Sequence, residues 1–175
     1  VAGNGRGLLV FTERQAISDA QGIYFPFFND AVVKAEMKKY DGNTGIAVLS
    51  VKASELTEST KNAIAVAVLG NSLTVTQGTI AIAIGSPLGT NYSILTGNIT
   101  STTNSISTID HNYSVFTTDI VGSSNGSGAL VNVDGEIIGI VMQGYSSEGD
   151  ENTLTAISIS ELKALIEMLD RKSVV

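Results

Sequence analysis

Short alternating runs of apolar and polar residues, broken by glycine-rich turns at roughly 8–12 residue spacing, run through most of the chain and predict β-strands. Leu8, Leu9, Val10 and Phe11 form an apolar run of strand length. Residues 22–28 and 31–40 flank Asn29-Asp30, a hairpin-type turn dipeptide. The second arm alternates Val33, Ala35 and Met37 against Lys34, Glu36 and Lys38. Further strands are predicted over residues 45–51, 64–69, 79–84, 93–101, 115–118, 128–133 and 136–142, the last two joined by Asp134-Gly135. Residues 54–61 are polar with helical composition. One stretch changes period to 3.6: Leu162, Leu165, Ile166 and Leu169 share a face, Ser158 or Ser160 is placed to cap it, and Glu161 falls in its first turn. The polar tracts 100–112 and 144–152 read as loops. Short strands with Gly-rich turns argue for an all-β sandwich or barrel closed by a C-terminal helix, not for a parallel α/β sheet.

Composition narrows the function classes. The chain has 175 residues, long enough for one domain or two small barrels sharing an interface. Lys and Arg total 10 against 17 Asp and Glu, a net charge of −7 with no basic cluster, so nucleic acid is not an expected partner. No apolar run approaches the roughly 18 residues of a membrane span. The absence of cysteine removes disulfides, thiol nucleophiles and Cys-based metal sites together. No cofactor and no metal is called for. The first residues, Val1-Ala2-Gly3, lack an initiating Met and read as the interior of a longer chain with any targeting segment upstream.

The richest stretch in chemistry is residues 117–140. Thr118-Asp119 leads to Asn125-Gly126-Ser127-Gly128, then Ala129-Leu130-Val131-Asn132, then Gly135-Glu136-Ile137-Ile138-Gly139-Ile140. This order resembles the nucleophile region of trypsin-like proteases of the bacterial HtrA/DegP type, where Thr-Asp precedes Gly-Asn-Ser-Gly-Gly, Ala-Leu-Val-Asn and Gly-Glu-Leu-Ile-Gly-Ile. Residues 79–89, ending Gly85-Ser86-Pro87-Leu88-Gly89, resemble the family's Val-Ala-Ile-Gly-Asn-Pro-x-Gly. Residues 96–99 resemble its Thr-Ser-Gly-Ile-Val, residues 41–51 its Asp-Leu-Ala-Val-Leu segment, and residues 8–17 its Val-Leu-Thr-Asn-Asn-His-Val-Ile. Residues 153–165 are similar to its final strand and closing helix. Each motif is weak alone; their shared order over nearly the whole chain is specific. The resemblance implies two antiparallel β-barrels of trypsin-like type with a cleft between them: residues 1–75 as a first barrel lacking its first strand, 76–157 as the second, and 158–170 as the closing helix.

The same resemblance assigns the catalytic positions, and two of the three are chemically empty. The family's general base falls on Gln15, which has no titratable proton to exchange. Its orienting aspartate falls on Gly45, which offers no carboxylate to an imidazolium. At the nucleophile, counting from Thr118-Asp119 lands on Ser127, whereas counting back from Ala129 lands on Gly126; one loop residue is missing and both registers stay open. The oxyanion-loop remnant is Asn125, Gly126, Ser127 and Gly128. If Ser127 is the nucleophile position, the second backbone donor is Asn125, where the family has glycine.

Other candidate chemistry reads more simply as structure. The one histidine, His111, lies in a polar loop, where a lone histidine is most often solvated or caps a turn. Asp110, His111, Asp119 and Ser127 are the residues from which a rearranged triad could be built. Residues 85–89 lack the following Lys or helix of a phosphate loop and read as a turn. Residues 3–7 read as a turn between strands. The acidic residues 148–152 lack EF-hand spacing and read as a solvated loop tip.

The expectation is therefore a trypsin/HtrA-like domain that has lost its triad, with an extended peptide or protein segment in its cleft held by β-augmentation. An active serine endopeptidase using Ser127, and an architectural domain carrying a PDZ-like module, are the alternatives. By resemblance the location is extracytoplasmic or at the cell surface of a bacterium.

Overall fold

The computed structural model describes residues 2–3, 7–17, 21–27, 29–108, 111–146 and 149–171. The chain divides into two compact units, one built from the residues up to Ala67 and from Met168 onward, the other from Val68–Glu167.

The first unit is a five-stranded half-barrel. Its strands are β1 (Ala2–Gly3), β2 (Gly7–Glu13), β3 (Ile23–Pro26), β4 (Val32–Tyr40) and β5 (Ile46–Lys52), in the order β1-β2-β5-β4-β3 with every described pair antiparallel. Strand β5 lies centrally, and Ile46, Ala47, Val48 and Leu49 are all buried, as expected of a strand paired on both edges. The β3–β4 hairpin turns at the predicted dipeptide: Phe27 N–H donates to Ala31 O at 2.8 Å and Asp30 takes a left-handed φ of 62°. The polar stretch with helical composition yields a short helix, α1 (Glu58–Ala63), capped by the Thr57 hydroxyl, which accepts from Thr60 N–H. Leu8, Val33, Leu49, Val51 and Leu56 form the core, with Phe25 and Phe27 against it.

The second unit is a closed six-stranded barrel. Strands β6 (Ile80–Ser86), β7 (Ser93–Ser107), β8 (Asn112–Val121), β9 (Ser127–Val131), β10 (Ile137–Met142) and β11 (Thr153–Ser158) close in the order β10-β11-β8-β7-β6-β9. Small residues on β6 (Ala81, Ala83) pack with large ones (Ile99, Phe116, Leu130, Leu154) in the barrel core, the alternation of sizes that suits a narrow barrel. A C-terminal helix, α2 (Ile159–Arg171), follows. Its Leu162 is fully buried and Leu165 and Ile166 are half-buried; the Leu169 side chain lies outside the described residues.

Two sequence expectations are corrected. Residues 64–69 are not a strand. Only Leu69 makes a β-bridge, parallel to Ile137, and the preceding residues are an extended connector whose Val66 and Val68 are 57% and 60% exposed. An apolar run reads as a strand only if a partner lies beside it, which composition does not reveal. Residues 100–112 are not a loop: β7 continues to Ser107, β8 begins at Asn112, and the turn between them closes by Thr108 N–H donating to His111 O at 2.8 Å. Thr and Ser at these positions carry strand propensity without an apolar face, because this part of the hairpin passes beyond the barrel core.

Ser160 lies within the first turn of α2 and its hydroxyl does not cap its own helix. It accepts from Ser72 N–H at 3.1 Å, while Ser72 Oγ accepts from Ser160 N–H at 2.9 Å. This reciprocal pair satisfies one of the free donors at the helix start. Ser72→Ala and Ser160→Ala should each destabilise the chain by about 1 kcal/mol. Urea unfolding of the double variant should show less than the sum, since losing either bond loosens the contact that forms the other.

Candidate functional site

Within the first unit, the sequence-assigned positions 15 and 45 are neighbours. Strand β2 ends at Glu13 opposite Ile46 and continues into a 3-10 turn, Arg14–Ile17, that carries Gln15. Arg14 N–H donates to Gly45 O at 2.7 Å, clamping that turn to Gly45. Gly45 closes a tight turn from Asp41. Its N–H donates to Asp41 O at 3.0 Å, and the Asp41 carboxylate accepts from both Thr44 N–H and Thr44 Oγ1 at 2.7 Å. Gly45 has φ +76°, a conformation natural to glycine and costly for a side chain. The Arg14 guanidinium stacks 4.0 Å over the Tyr40 ring. Burial pushes the Glu13 carboxyl above its ordinary range.

Ser127 lies in the second unit, half-buried at the start of β9, between Ser86 on β6 and Met142 on β10. Next to it Gly128 and Gly85 face one another with φ +137° and +141°. A Cβ on Gly85 would sit 2.7 Å from Gly128 Cα and 2.9 Å from Ser127 O, so both strands must be bare here. The loop before Ser127 is stapled to the turn after β6. Ser123 N–H donates to Pro87 O at 3.0 Å, and Gly89 N–H to Ser86 O at 2.9 Å. The turn expected over residues 85–89 is thus only partly one: Gly85 and Ser86 end β6 as paired strand residues, and residues 87–89 make the turn that supports the loop carrying Ser127.

Ser123 also decides the donor geometry, and nothing in the sequence reading singled it out. Its Oγ accepts from Asn125 N–H at 3.3 Å and its carbonyl from Gly126 N–H at 2.7 Å. An oxyanion hole needs two backbone N–H groups free to converge on a developing charge. If Ser127 is the nucleophile position, one donor is Asn125; if it is Gly126, one donor is Gly126 itself. In either register one of the two donors is spent inside the turn.

His111 does not join this cluster. Its Nε2 lies 3.2 Å from Glu161 Oε2 at the start of α2, where Ser114 Oγ also donates to Glu161 Oε1 at 2.9 Å, and its ring meets Tyr113 edge-on. Ser127 pairs with Met142, next to it Val141 pairs with Ala156 on β11, and Ala156 pairs with Phe116 on β8, so Ser127 lies near the level of Phe116 and Thr117. His111 lies in the turn just before β8, six residues ahead of Thr117, about 20 Å at the strand rise. A base and its nucleophile need about 3 Å. Asp119 is likewise engaged elsewhere: Asn98 N–H and Asn98 Nδ2 donate to its two oxygens at 2.6 and 3.0 Å. Asp110 lies outside the described residues. No cluster of metal-ligating side chains occurs among the described residues.

The Asn98 side-chain amide, then its backbone N–H, hold the Asp119 carboxyl below its ordinary range. A carboxylate with a depressed folded pKa adds stability that is present above the unfolded value of about 3.9 and lost as pH falls through the folded value. Asn98→Ala should move the Asp119 titration up toward the ordinary range, part of the way because the backbone bond remains. NMR titration of the Asp119 carboxyl carbon checks this; an unchanged midpoint would remove the assigned cause.

Comparison with known proteins gives one consistent picture. Residues 1–140 match the family of trypsin-like peptidase domains. The chain is 32% identical over 177 residues to a serine protease Do-like HtrA of Lactobacillus helveticus, covering 97% of this chain and 41% of that protein. It is 28% identical over 173 residues to the serine protease Do-like HtrA of Bacillus subtilis, covering 95% and 37%. A solved structure, the HtrA-type protease AlgW with a decapeptide, superposes with a TM-score of 0.73 at 23% identity, covering 93% of this chain and 48% of that one. The chain thus spans roughly two fifths of the length of these curated relatives.

Proposed function

The chain belongs to the trypsin-like peptidase family, of the HtrA/DegP type, and from that membership we propose that it is a catalytically inactive member that holds an extended peptide or protein segment. The observation that carries the reading is the pair of residues at the base and orienter positions: Gln15 cannot take a proton from a serine, and Gly45 presents no carboxylate. The local structure supports it further. Gly45 occupies a positive-φ turn locked by Asp41 and Arg14, and the Ser123 turn consumes an oxyanion donor in either register of the nucleophile loop.

Ground-state peptide affinity in such a domain comes from backbone pairing and side-chain contact, not from the triad, so its loss leaves binding intact. The AlgW relative was solved with a decapeptide, which supports a peptide as the ligand class. Two relatives are named probable periplasmic endoproteases, which favours an extracytoplasmic site of action. Among the described residues no helix is long and apolar enough to cross a membrane.

A fluorophosphonate probe tests the proposal without a known substrate, since it reacts only with an activated serine. No covalent adduct is expected by intact-mass measurement. An adduct that maps to Ser127 and is absent in Ser127→Ala overturns the proposal in favour of an active serine endopeptidase.

A further inference from the structure

Among the described residues, the edge strands β1 and β3 of the half-barrel and the far part of β7 leave sheet edges open, and they are not alike. In the half-barrel, β1 is two residues long, and β3 is four residues long and ends at Pro26. Both are blunted in the ways that keep edges from recruiting another strand. The third edge belongs to β7. Strand β6 pairs with it only from Ser93 to Asn98, and the turn before β6 covers Ile99 through Gly78 N–H and Thr79 O. From residue 101 to residue 107, β7 pairs with β8 on one side and with no described strand on the other. All of β7, SILTGNITSTTNSIS, contains no charge and no proline.

The direction of the free groups follows from the turn. Thr108 N–H bonds His111 O, so Thr108, Ile106 and Asn104 point their backbone groups toward β8, and Ser107 and Ser105 point theirs outward. Thr103 N–H also points away from β8 but is met by Ser101 Oγ at 3.3 Å. Ser105 and Ser107 therefore present two consecutive donor–acceptor units at the spacing of a strand ladder, on residues that are exposed.

We propose that the outer edge of β7, residues 101–107, is a β-augmentation site for an extended peptide segment of net positive charge. The unpaired groups specify an extended backbone. Charge selects between the candidates for that backbone. Residues 68–167 carry nine Asp and Glu against one basic residue, Lys163. A second copy of this chain would bring the same acidic barrel alongside, whereas a lysine-bearing segment is drawn to it. The site stands apart from the Ser127 loop and does not depend on whether that loop is active.

The test is fluorescence anisotropy of a labelled peptide that alternates valine and threonine between terminal lysines, titrated with the chain. The expected result is saturable binding that weakens as salt rises. Methylating the peptide nitrogens at alternate positions should abolish it, because the ladder needs those donors. Ser105→Pro removes an outward donor while leaving the β8 ladder in place, and should weaken binding at least about tenfold. If that variant loses its fold by circular dichroism, Ser107→Pro, at the other outward-facing residue, takes its place, with an unchanged affinity in a folded variant overturning the proposal. Ser127→Ala should bind as the wild type does. Equal binding of methylated and unmethylated peptide, or no saturable binding, overturns the proposal. Self-association of the wild type that disappears in Ser105→Pro would overturn it too, assigning the edge to a second copy. Labelling of Ser127 by a fluorophosphonate would sink the inactive-enzyme reading and leave this one standing.

Discussion

Casein or a peptide substrate is expected to turn over at the same background rate with the wild type and with Ser127→Ala. In trypsin- and subtilisin-type enzymes, removing any one triad member leaves about 10³–10⁴-fold over water, supplied by the oxyanion hole and binding. On the proposed reading the base position is Gln15 and the orienter position Gly45, and Ser123 accepts from Asn125 N–H and Gly126 N–H, one of which would be a donor of the hole. With one donor of the hole also spent, even that residual rate is expected to fall to background. Gln15→His should restore nothing measurable: without a carboxylate at position 45 the imidazole is neither oriented nor stabilised when charged. Adding Gly45→Asp meets the +76° φ of that turn, at a cost of about 1–2 kcal/mol. The double variant still faces the shortened loop. Turnover by the wild type that vanishes in Ser127→Ala would refute the inactive reading, and a large gain from Gln15→His alone would show that the nucleophile loop is competent.

What the sequence made legible was what local chemistry specifies. The period-2 arm at Val33 and Ala35, the Asn29-Asp30 turn and the helical face at Leu162 appear where expected, because each is fixed by spacing or turn chemistry within a few residues; the alternation stops at Met37, which is exposed where the pairing with β5 shifts register. The ordered motifs from residue 79 to residue 140 made the family readable as well. What was not legible depends on partners distant in sequence. Residues 64–69 have a strand's composition but, among the described residues, pair only at Leu69, with Ile137. Residues 100–107 have a loop's polarity but a strand beside them. At the proposed site, the assignment of Gln15 and Gly45 rests on the family resemblance, and residue type adds only that neither can serve as base or carboxylate. Ser123 could not be singled out that way, since its role is to accept from Asn125 and Gly126 in a turn whose geometry depends on Pro87. Gly85 was read as one end of a turn, and its pairing with Gly128 across β6 and β9 shows only in three dimensions.

That glycine pair should also give the largest stability effect of any single methyl added to the barrel. A Cβ at Gly128 would collide with the Ile84 carbonyl oxygen and lie 3.1 Å from Gly85 Cα, and both neighbours are backbone in a closed ladder that cannot swing aside. The residue's φ of +137° adds a conformational cost that only glycine avoids. With about 1–3 kcal/mol for the backbone and a further ~1–3 for the forced overlap, Gly128→Ala should lose roughly 3–5 kcal/mol, a large part of a typical total stability of 5–15. Two other glycines separate the contributions. Gly135 has φ +78° but nothing within 4 Å of its would-be Cβ, so Gly135→Ala should lose only about 1 kcal/mol. Gly144 has open space and no positive φ, so Gly144→Ala should fall within about 0.5 kcal/mol of wild type. Thermal unfolding followed by circular dichroism should place the variants in that order, with the Gly128→Ala midpoint lower by about 10 °C. If Gly128→Ala melts with Gly135→Ala, the close approach of β6 and β9 beside Ser127 is not a constraint on the folded chain.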